Sequence, residues 1–342
     1  MERPRRYELR DPPTDGITSM EFGRNNNQFL VVGSWDKYLR MYDMQTNGVK
    51  KKIDIGTPVL DVSVENPLKG YCSGLDGSIW WADFMTGAVN RIGSHQKGAK
   101  CVNYSFERNT VFSGSWDATF GQWDPRSSVS AGTYDLPSKV LAMDVLKDKL
   151  AIATADQEIT IFDVRNLNKP FQKSHSNLRT LFRCIKILPT LDGFAYGTVE
   201  GRASVDSFVV NDEPLFKRYA FKCHRQFYNG YDHVYPVNAI EFHTEGTFIT
   251  AGGDGTISTW CPKQRKKMRT FQYYPTSISS VAFTADGEYM AVASSYTFEE
   301  GEKDHPPDAI YIQSVAPIDF VSDKTKLNNE RSTISDDNSI AA

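Results

Sequence analysis

The segment SGSWDATFGQWD, residues 113–124, contains the pattern that decides the fold. Small residues lead into an Asp, and a strand of alternating character follows and ends in an aromatic residue and Asp. Related segments occur on both sides of it: GSWDKYLRMYD (33–43), SGLDGSIWWAD (73–83), ATADQEITIFD (153–163), GTVEGRASVDSF (197–208) and AGGDGTISTW (251–260). Such internal similarity indicates a repeat architecture.

The acidic residues of these segments recur at a nearly constant spacing. They lie 40, 41, 39, 44 and 54 residues apart and are Asp36, Asp76, Asp117, Asp156, Glu200 and Asp254. An alternating apolar strand precedes each of them, and a seventh such strand, ISSVAF from residue 278, is followed by two more strands with the polar insertion TFEEGEKDHPP (297–307) between them. A period of about 40–45 residues, glycine-rich turns and period-2 patterning resemble the WD-repeat family, whose units are four-stranded blades. We therefore predict an all-β, seven-bladed WD-repeat β-propeller.

The predicted propeller covers residues 7–315. A tail at 1–6 precedes it, and a polar, patternless segment at 316–342 follows it and is expected to be disordered. Because the seventh blade lacks a fourth strand of its own, we predict that residues 7–9 supply it and close the ring. The wide spacing before Asp254 predicts an extended loop at about residues 227–234.

Several repeat residues have a structural explanation. A carboxylate in the tight turn between the second and third strands of a blade can accept backbone N–H groups. The aromatic residues before the closing Asp, which are Tyr42, Trp123 and Phe162, are expected to fill the space between blades. His243 ends an apolar strand, and we interpret it as a structural histidine.

Composition excludes several classes of protein. Lys and Arg total 39 against 42 Asp and Glu, a net charge of −3, so we do not expect nucleic acid as a partner. Five cysteines without a CxxC pair fit neither a disulfide framework nor a four-ligand zinc site. Because no apolar run has the length of a signal sequence or membrane span, we expect an intracellular, soluble protein without a membrane partner.

The sequence contains no recognisable catalytic motif. HExxH, GxSxG and the phosphate-binding GxxxxGKS pattern are all absent, and the six histidines lack metal-ligand spacing. Asp76 and Asp254 could be offered as acids, but both occupy repeat turns. We predict a non-enzymatic protein with no catalytic residue, no metal and no cofactor.

Two tryptophans, Trp35 and Trp116, directly precede the repeat Asp in the same register. In propellers of the WD-repeat family this turn opens on the narrower top face. A tryptophan there is either wedged between neighbouring loops or exposed as an interaction hot spot. Its occurrence in two blades favours the second interpretation.

A second unusual group is basic and consists of Arg179, Arg183, Arg202, Lys222 and Arg225. Strand order predicts that these residues lie on adjacent blades four to six, near one edge of the top face. They are either scattered surface charges or an anion or phosphate site. Another basic run, KQRKKMR (263–269), is interpreted as a solvated strand connection.

Further motifs make the resemblance more specific. They are PPTDGITS (12–19), GSWDATFGQWDPR (114–126), EGRASV (200–205), YAFKCHR (219–225), YPVNAIEFH (235–243), YPTSISSVAF (274–283) and SSYTFEEGEKDHPPDAIYI (294–312). Together they resemble the WD-repeat partners of the Bub spindle-checkpoint kinases over nearly the whole propeller. A related family, the Rae-type messenger-RNA export factors, shares the GSW, EGR and FKCHR features.

The resemblance implies a non-enzymatic checkpoint adaptor of the nucleus, the mitotic kinetochore and the cytoplasm. Its implied partners are a Bub-type kinase and its pseudokinase relative, bound through a GLEBS motif, and a kinetochore scaffold with phosphothreonine in Met-Glu-Leu-Thr repeats. By matching motifs, Trp35 and Trp116 contact the kinase segment, Arg183 contacts its acidic side chains, and Arg202 with Lys222 binds phosphate. No obligate homo-oligomer is expected.

Two other functions stay open. One is a Rae-type export or nucleoporin-binding adaptor that also contacts RNA, and steeply salt-dependent RNA binding would favour it. The other is an enzyme, which requires convergent titratable groups in a pocket, and the sequence places none.

Overall fold

Alternation of apolar and polar residues gives a strand one buried side, and the computed structural model of the chain has this arrangement in the first strands of its blades, for example in Phe182–Ile187. The structure describes residues 6–126, 130–211, 213–271, 273–316 and 320. Within these ranges the chain forms 32 β-strands and no helix. The predicted all-β class is confirmed.

Seven antiparallel sheets of four strands each form the blades. A short strand, β1, covers Arg6–Glu8 ahead of the first blade. The strands of blades one to three are, in chain order, β2 Ile17–Phe22, β3 Phe29–Ser34, β4 Tyr38–Asp43, β5 Gly48–Asp54, β6 Val59–Asn66, β7 Lys69–Gly74, β8 Ser78–Asp83, β9 Val89–Ser94, β10 Ala99–Ser105, β11 Thr110–Ser115, β12 Thr119–Trp123 and β13 Ser130–Asp135.

Blade five departs from the regular pattern because it contains an extra hairpin. The strands of blades four and five are β14 Val140–Leu146, β15 Lys149–Thr154, β16 Glu158–Asp163, β17 Gln172–His175, β18 Phe182–Ile187, β19 Gly193–Thr198, β20 Arg202–Ser207 and β23 Tyr219–Lys222. The hairpin of β21, Val209–Val210, and β22, Glu213–Pro214, lies between β20 and β23. It lengthens the connection from the third to the fourth strand of this blade.

A second hairpin connects blades five and six. It consists of β24, Arg225–Tyr228, and β25, Tyr231–Val234. The prediction of an extended loop at 227–234 is therefore wrong, because these residues belong to a hairpin. Asn229 and Gly230 at its tip have φ of 53° and 82°, the left-handed conformation of a tight hairpin turn. The last strands are β26 Val237–Phe242, β27 Phe248–Gly252, β28 Ile257–Cys261, β29 Lys266–Thr270, β30 Ile278–Phe283, β31 Tyr289–Ser294 and β32 Ala309–Ser314.

The N-terminal strand closes the ring, as predicted, although it starts one residue earlier than expected. β1 pairs antiparallel with β32 and becomes the fourth strand of blade seven. The buried Leu9 continues the pairing, because its N–H donates to the Ile310 carbonyl at 2.8 Å. The Arg6 guanidinium lies between the rings of Tyr274 and Tyr311, 4.1 and 4.2 Å from their centroids.

The core lies between the blades. The second strands β3, β11, β19 and β27 are buried at every residue. Tyr42, Trp123 and Phe162 are all buried, so their predicted role as core residues is confirmed. The first strands of the seven blades pack around a central channel.

The predicted C-terminal tail falls mainly outside the described residues. Of residues 316–342, the structure describes Ala316 and Phe320. The Phe320 ring is fully buried and stacks on His243 with a centroid distance of 4.4 Å. At least this side chain of the segment is part of the core, and the boundaries at 6 and 315 stay predictions.

Candidate functional site

The top face of the propeller carries two kinds of connection, the turns between second and third strands and the links from one blade to the next. One hydrogen bond joins the two in every blade. The N–H of the residue after the second strand donates to the carbonyl of the residue just before the first strand, at 2.8–3.1 Å: Trp35 to Gly16, Leu75 to Pro58, Trp116 to Gly98, Ala155 to Lys139, Val199 to Leu181, Gly253 to Pro236 and Ser295 to Ser277. These contacts give the varied side chains of the turns a common backbone frame.

Trp35 and Trp116 occupy equivalent places in this frame, in blades one and three. The Trp35 side chain is 41% exposed, and the Trp116 side chain is partly buried. Each indole ring lies against the glycine whose carbonyl accepts the backbone N–H of the same tryptophan. A Cβ at Gly16 would lie 3.4 Å from Trp35 Cδ1, and one at Gly98 would lie 2.8 Å from Trp116 Cε3. The rings are thus supported by the neighbouring connection and still present a surface to solvent.

The structure places the basic residues differently from the expectation of adjacent blades four to six. Arg183, Arg202 and Lys222 all belong to blade five, on β18, β20 and β23. The β21–β22 hairpin lengthens the sequence between Arg202 and Lys222, which hid that the two residues lie on neighbouring strands of one sheet. Arg225 begins the β24–β25 hairpin, and the exposed Arg179 lies in the link before β18.

Arg202 and Lys222 are directly paired across β20 and β23. Directly opposite residues of an antiparallel pair project from the same side of the sheet, so the two side chains are neighbours. Neither forms an ion pair within the part of the chain that the structure describes, and the Arg202 Nε is buried without a hydrogen-bond partner there. Two cations without a carboxylate between them form a site that can accept an anion.

Arg225 connects this pair to the hairpin beside it. One of its nitrogens, Nη1, lies 2.9 Å from Asp232, and Nη2 donates to the Glu200 carbonyl at 2.9 Å. The hairpin is thereby attached to the turn that precedes Arg202. Arg225 is consequently committed to contacts within the chain.

Arg183 is not part of the same cluster. It lies on the innermost strand of blade five, where it lines the central channel. Its Nε and Nη2 both donate to Asn238 Oδ1, at 3.0 and 2.9 Å. The structure therefore separates Arg183 from Arg202 and Lys222 by the width of the intervening strands.

Sequence reasoning missed two buried histidine networks. In blade three, His95 Nε2 lies 2.7 Å from Ser113 Oγ, which also accepts the indole N–H of Trp123 at 2.6 Å. On its other side, His95 Nδ1 lies 2.9 Å from Thr119 Oγ1 and 3.5 Å from Asp117. Blade six repeats the arrangement with His224, Thr250, Asp254 and Trp260. The signal was present as a Ser or Thr ten residues before a Trp, at 113 and 123 and again at 250 and 260.

Electrostatics of the blade-three network favour a neutral imidazole. Burial lowers the pKa of His95 below its ordinary value, and the nearby Asp117 carboxylate opposes this effect only in part. Burial would raise the pKa of Asp117, but hydrogen bonds from Thr119 and from the Gln96 N–H hold it below the usual range. Since these groups are mutually satisfied, the network is structural.

The central channel holds charges that the sequence did not predict. Lys186 Nζ lies 3.0 Å from Glu241 and 3.8 Å from Asp144. Burial raises the pKa of Glu21 to about 8, in spite of the opposing effect of Lys186. These residues come from different blades, and they were missed because inward-facing polar residues look like ordinary members of alternating strands.

Other expectations concern chemistry and ligands. His243 is buried, and its Nε2 lies 3.1 Å from the Gly287 carbonyl, so its predicted structural role is confirmed. The five cysteines are unpaired. Among the described residues, no group of three or more His, Cys, Asp or Glu side chains is placed to coordinate a metal ion. Those residues also contain no helix with the length and hydropathy of a membrane span.

Comparison with known proteins identifies the family. The model of the WD domain, G-beta repeat, matches residues 5–43, 88–124 and 221–261. Mitotic checkpoint protein BUB3.1 of Arabidopsis thaliana is 41% identical over 318 residues, 91% of this chain and 93% of that protein. Mitotic checkpoint protein bub3 of Dictyostelium discoideum is 42% identical over 313 residues, 90% of this chain and 94% of that protein. The chain belongs to the Bub3 family.

Export factors are related to this Bub3-family chain as well. The mRNA export factor GLE2 of Chaetomium thermophilum is 33% identical over 305 residues, 86% of this chain and 85% of that protein. The resemblance to both groups predicted from the motifs is confirmed. As a WD-repeat propeller of the Bub3 family, the chain is a non-enzymatic adaptor.

Proposed function

We propose that this Bub3-family protein is a spindle-checkpoint adaptor that recruits checkpoint kinases to kinetochores. It binds a GLEBS segment of a Bub-type kinase, or of the related pseudokinase, on the top face. It also binds phosphothreonine in the Met-Glu-Leu-Thr repeats of a kinetochore scaffold, at blade five. Action in the nucleus and at the mitotic kinetochore, with a cytoplasmic pool, follows from this role. The names of the relatives support the checkpoint assignment.

The observation that carries the phosphate assignment is the direct pairing of Arg202 with Lys222. Like charges in directly opposite positions of a sheet are destabilising, so the pair lowers stability unless an anion lies between its members. A phosphothreonine supplies a charge of about −1.5 to −2 and three acceptor oxygens. Arg202 can bind two of these oxygens side by side, whereas Lys222 acts as a compact point charge.

Phosphopeptide titration tests this site. Hydrogen bonds to charged groups contribute about 1.5 to 3 kcal/mol, so Arg202→Ala or Lys222→Ala is expected to weaken binding of a phosphorylated Met-Glu-Leu-Thr peptide by roughly 10- to 150-fold. Binding of the unphosphorylated peptide should change little. Lys267→Ala is the matched control, since Lys267 is an exposed lysine on β29 of blade six. Equal losses for both peptides, or no loss for either, would show that the pair does not recognise phosphate.

The partly exposed rings of Trp35 and Trp116 support the kinase-binding assignment. Aromatic residues on a rigid frame are frequent interaction hot spots, where truncation costs about 2 to 4 kcal/mol. Arg183 is assigned to acidic side chains of the same segment. Asn238 engages its Nε and Nη2, whereas its Nη1 forms no hydrogen bond with the described residues and can donate to a carboxylate of the segment.

Calorimetry with a kinase segment tests the tryptophans. Trp35→Ala and Trp116→Ala should each weaken binding of the GLEBS segment by roughly 30-fold or more. Phe171→Ala is the control, because Phe171 is as exposed as Trp35, at 41%, and follows the loop at the opposite end of its blade. Unchanged affinity in both tryptophan variants, with folding verified, would leave the rings with only a structural role.

The 33% identity to GLE2 supports an export adaptor as the second candidate function. It predicts binding to single-stranded RNA that weakens steeply with salt. Titration of an unstructured RNA at two salt concentrations tests it. Tight, salt-dependent RNA binding by a protein that does not bind the phosphorylated Met-Glu-Leu-Thr peptide would favour this candidate over the checkpoint adaptor.

A further inference from the structure

A cleft of about 370 Å³ lies on the top face between blades six and seven. Tyr235, at the end of the β24–β25 hairpin, forms one side. The link between β29 and β30 contributes Tyr273, and the insertion after β31 contributes Tyr296, Glu299 and Glu300. The lining is therefore aromatic and acidic, in contrast to the cations of blade five.

The insertion is folded against Tyr296 in a defined way. The Tyr296 hydroxyl donates to the Gly301 carbonyl at 2.9 Å and accepts the Glu300 N–H at 3.0 Å. These two bonds fix the backbone that carries the Glu300 carboxylate. The acidic side of the cleft is thus a positioned feature.

The chain itself shows how this cleft receives a cation. Lys303 Nζ lies 4.9 Å from the centroid of the Tyr296 ring and pairs with the Glu300 carboxylate. An ammonium over an aromatic face with a carboxylate beside it is the arrangement that stabilises cations on aromatic side chains. Lys303 is a surface residue with 44% of its side chain exposed, so it occupies the rim and leaves the remaining volume open.

Glu299 offers a second carboxylate, which is not engaged in an ion pair with a described residue. Its oxygens accept from the hydroxyls of Ser277 and Thr297. The ring of Tyr273, another residue of the cleft lining, is 66% exposed. The hydroxyl of Tyr274, which also lines the cleft, is buried without a partner among those residues.

We propose that this cleft binds a positively charged side chain of a partner protein, with arginine preferred over lysine. A planar guanidinium can stack on the exposed Tyr273 ring and donate two parallel hydrogen bonds to the Glu299 carboxylate. A segment with a single basic residue fits the geometry better than a polybasic one, because Lys303 already neutralises Glu300.

The cleft and the cations of blade five together make the charge of the top face asymmetric. Cations lie on blade five, and the Glu299 carboxylate, which forms no ion pair among the described residues, lies at the junction of blades six and seven. A bound segment should have its acidic or phosphorylated part at blade five and its basic residue at the cleft. This last step rests on the proposed function, whereas the affinity of the cleft for arginine does not.

Titration with a capped arginine tests the cleft independently of the proposed function. N-acetyl-arginine methylamide is titrated into the isotope-labelled full chain and followed by NMR, and its isostere N-acetyl-citrulline methylamide, which lacks the charge, is titrated in parallel. We expect saturable shifts at Gly253, Thr276 and Glu300 with arginine and at least tenfold weaker binding of citrulline. Equal responses to the two compounds would overturn the proposal, whatever the phosphopeptide result.

Variants locate the site. Glu299→Gln should weaken arginine binding about tenfold, and Glu302→Gln, on the same insertion but outside the cleft lining, should change it less than twofold. Equal losses in both variants would mean that the general negative field of the insertion attracts the probe. Thermal unfolding of each variant shows whether the fold is kept. If Glu299→Gln does not fold, Tyr273→Leu takes its place and should weaken arginine binding by a similar factor.

Discussion

The turns between the second and third strands of blades three and five occupy the same place in the repeat but are built differently. In blade three, Asp117 accepts the backbone N–H groups of Gln96 and Thr119, at 2.8 and 3.0 Å, and lies beside the buried His95. In blade five the acidic residue is Glu200, whose side chain is exposed and forms no hydrogen bond or ion pair with the described residues. Only its backbone carbonyl is used, as an acceptor for Arg225.

The difference shows where the repeat is free to change. The blade-five turn keeps its shape through other bonds, since Thr198 Oγ1 donates to the Arg202 carbonyl and the Cys223 N–H donates to the Gly201 carbonyl. The side chain of its acidic residue is therefore not needed to hold the turn. A blade that departs from the repeat at this position can carry cations on the top face without losing its structure.

The largest expected effect contrasts these two acidic residues directly. Asp117→Ala leaves the backbone N–H groups of Gln96 and Thr119 and the Thr119 hydroxyl without their acceptor. It should lower the free energy of unfolding by about 2 to 3 kcal/mol, roughly 3 to 5 °C in Tm for a chain of this length. Glu200→Ala should change stability by less than about 0.5 kcal/mol, as for ordinary surface positions. Thermal and denaturant unfolding measure both. Similar losses in the two variants would show that Glu200 supports its turn after all.

Much of the fold was predictable because each repeat is defined by residues that are close together in the sequence. Spacing, alternation and the position of the acidic residues gave seven blades, and counting strands placed the closing strand within one residue of β1. The core roles of Tyr42, Trp123 and Phe162 followed from their place before the closing position of each unit.

The site was predictable only in part, because its members come together through insertions. The β21–β22 hairpin separates Arg202 from Lys222 in sequence, and their direct pairing needed the strand register. The histidine networks were missed since His95 precedes Asp117 by 22 residues and His224 precedes Asp254 by 30. The cleft of blades six and seven depends on a hairpin and an insertion that lie outside the repeat pattern.

Acidification should lower the stability of the chain through the blade-three histidine network, by an amount between the effects of Asp117→Ala and Lys222→Glu. Because burial lowers the pKa of His95, the folded chain binds its proton less readily than the unfolded chain, where the pKa is about 6.5. The stability that the neutral ring contributes is present above about pH 6.5 and is lost as the pH falls through the lower folded pKa, with a slope of at most about 1.4 kcal/mol per pH unit.

The pH dependence can be measured as Tm between pH 8 and pH 5. His243, whose pKa burial also lowers, contributes in the same direction, whereas Glu21, whose pKa burial raises to about 8, contributes in the opposite direction over this range. His95→Gln should therefore lose less stability on acidification than the parent, and the difference between the two slopes measures the contribution of His95. His175→Gln is the control, because His175 is exposed on β17. A slope that is unchanged in His95→Gln would mean that other groups cause the acid sensitivity.

The smallest expected effect on stability has the opposite sign and comes from blade five. Lys222→Glu places a carboxylate directly opposite Arg202, replaces a like-charge pair by an opposite-charge pair, and should raise the free energy of unfolding by about 0.2 to 1 kcal/mol. The same change fills the anion site from within the chain and repels phosphate, so binding of the phosphorylated Met-Glu-Leu-Thr peptide should fall below detection. Lys222→Gln, which removes the cation without adding a carboxylate, should weaken binding of the peptide less and raise stability by a smaller amount than Lys222→Glu. Denaturant unfolding and peptide titration on the three proteins measure both quantities. Lower stability in Lys222→Glu would mean that the side chains at positions 202 and 222 do not face each other. Retained phosphopeptide binding would mean that the phosphate is bound by other residues.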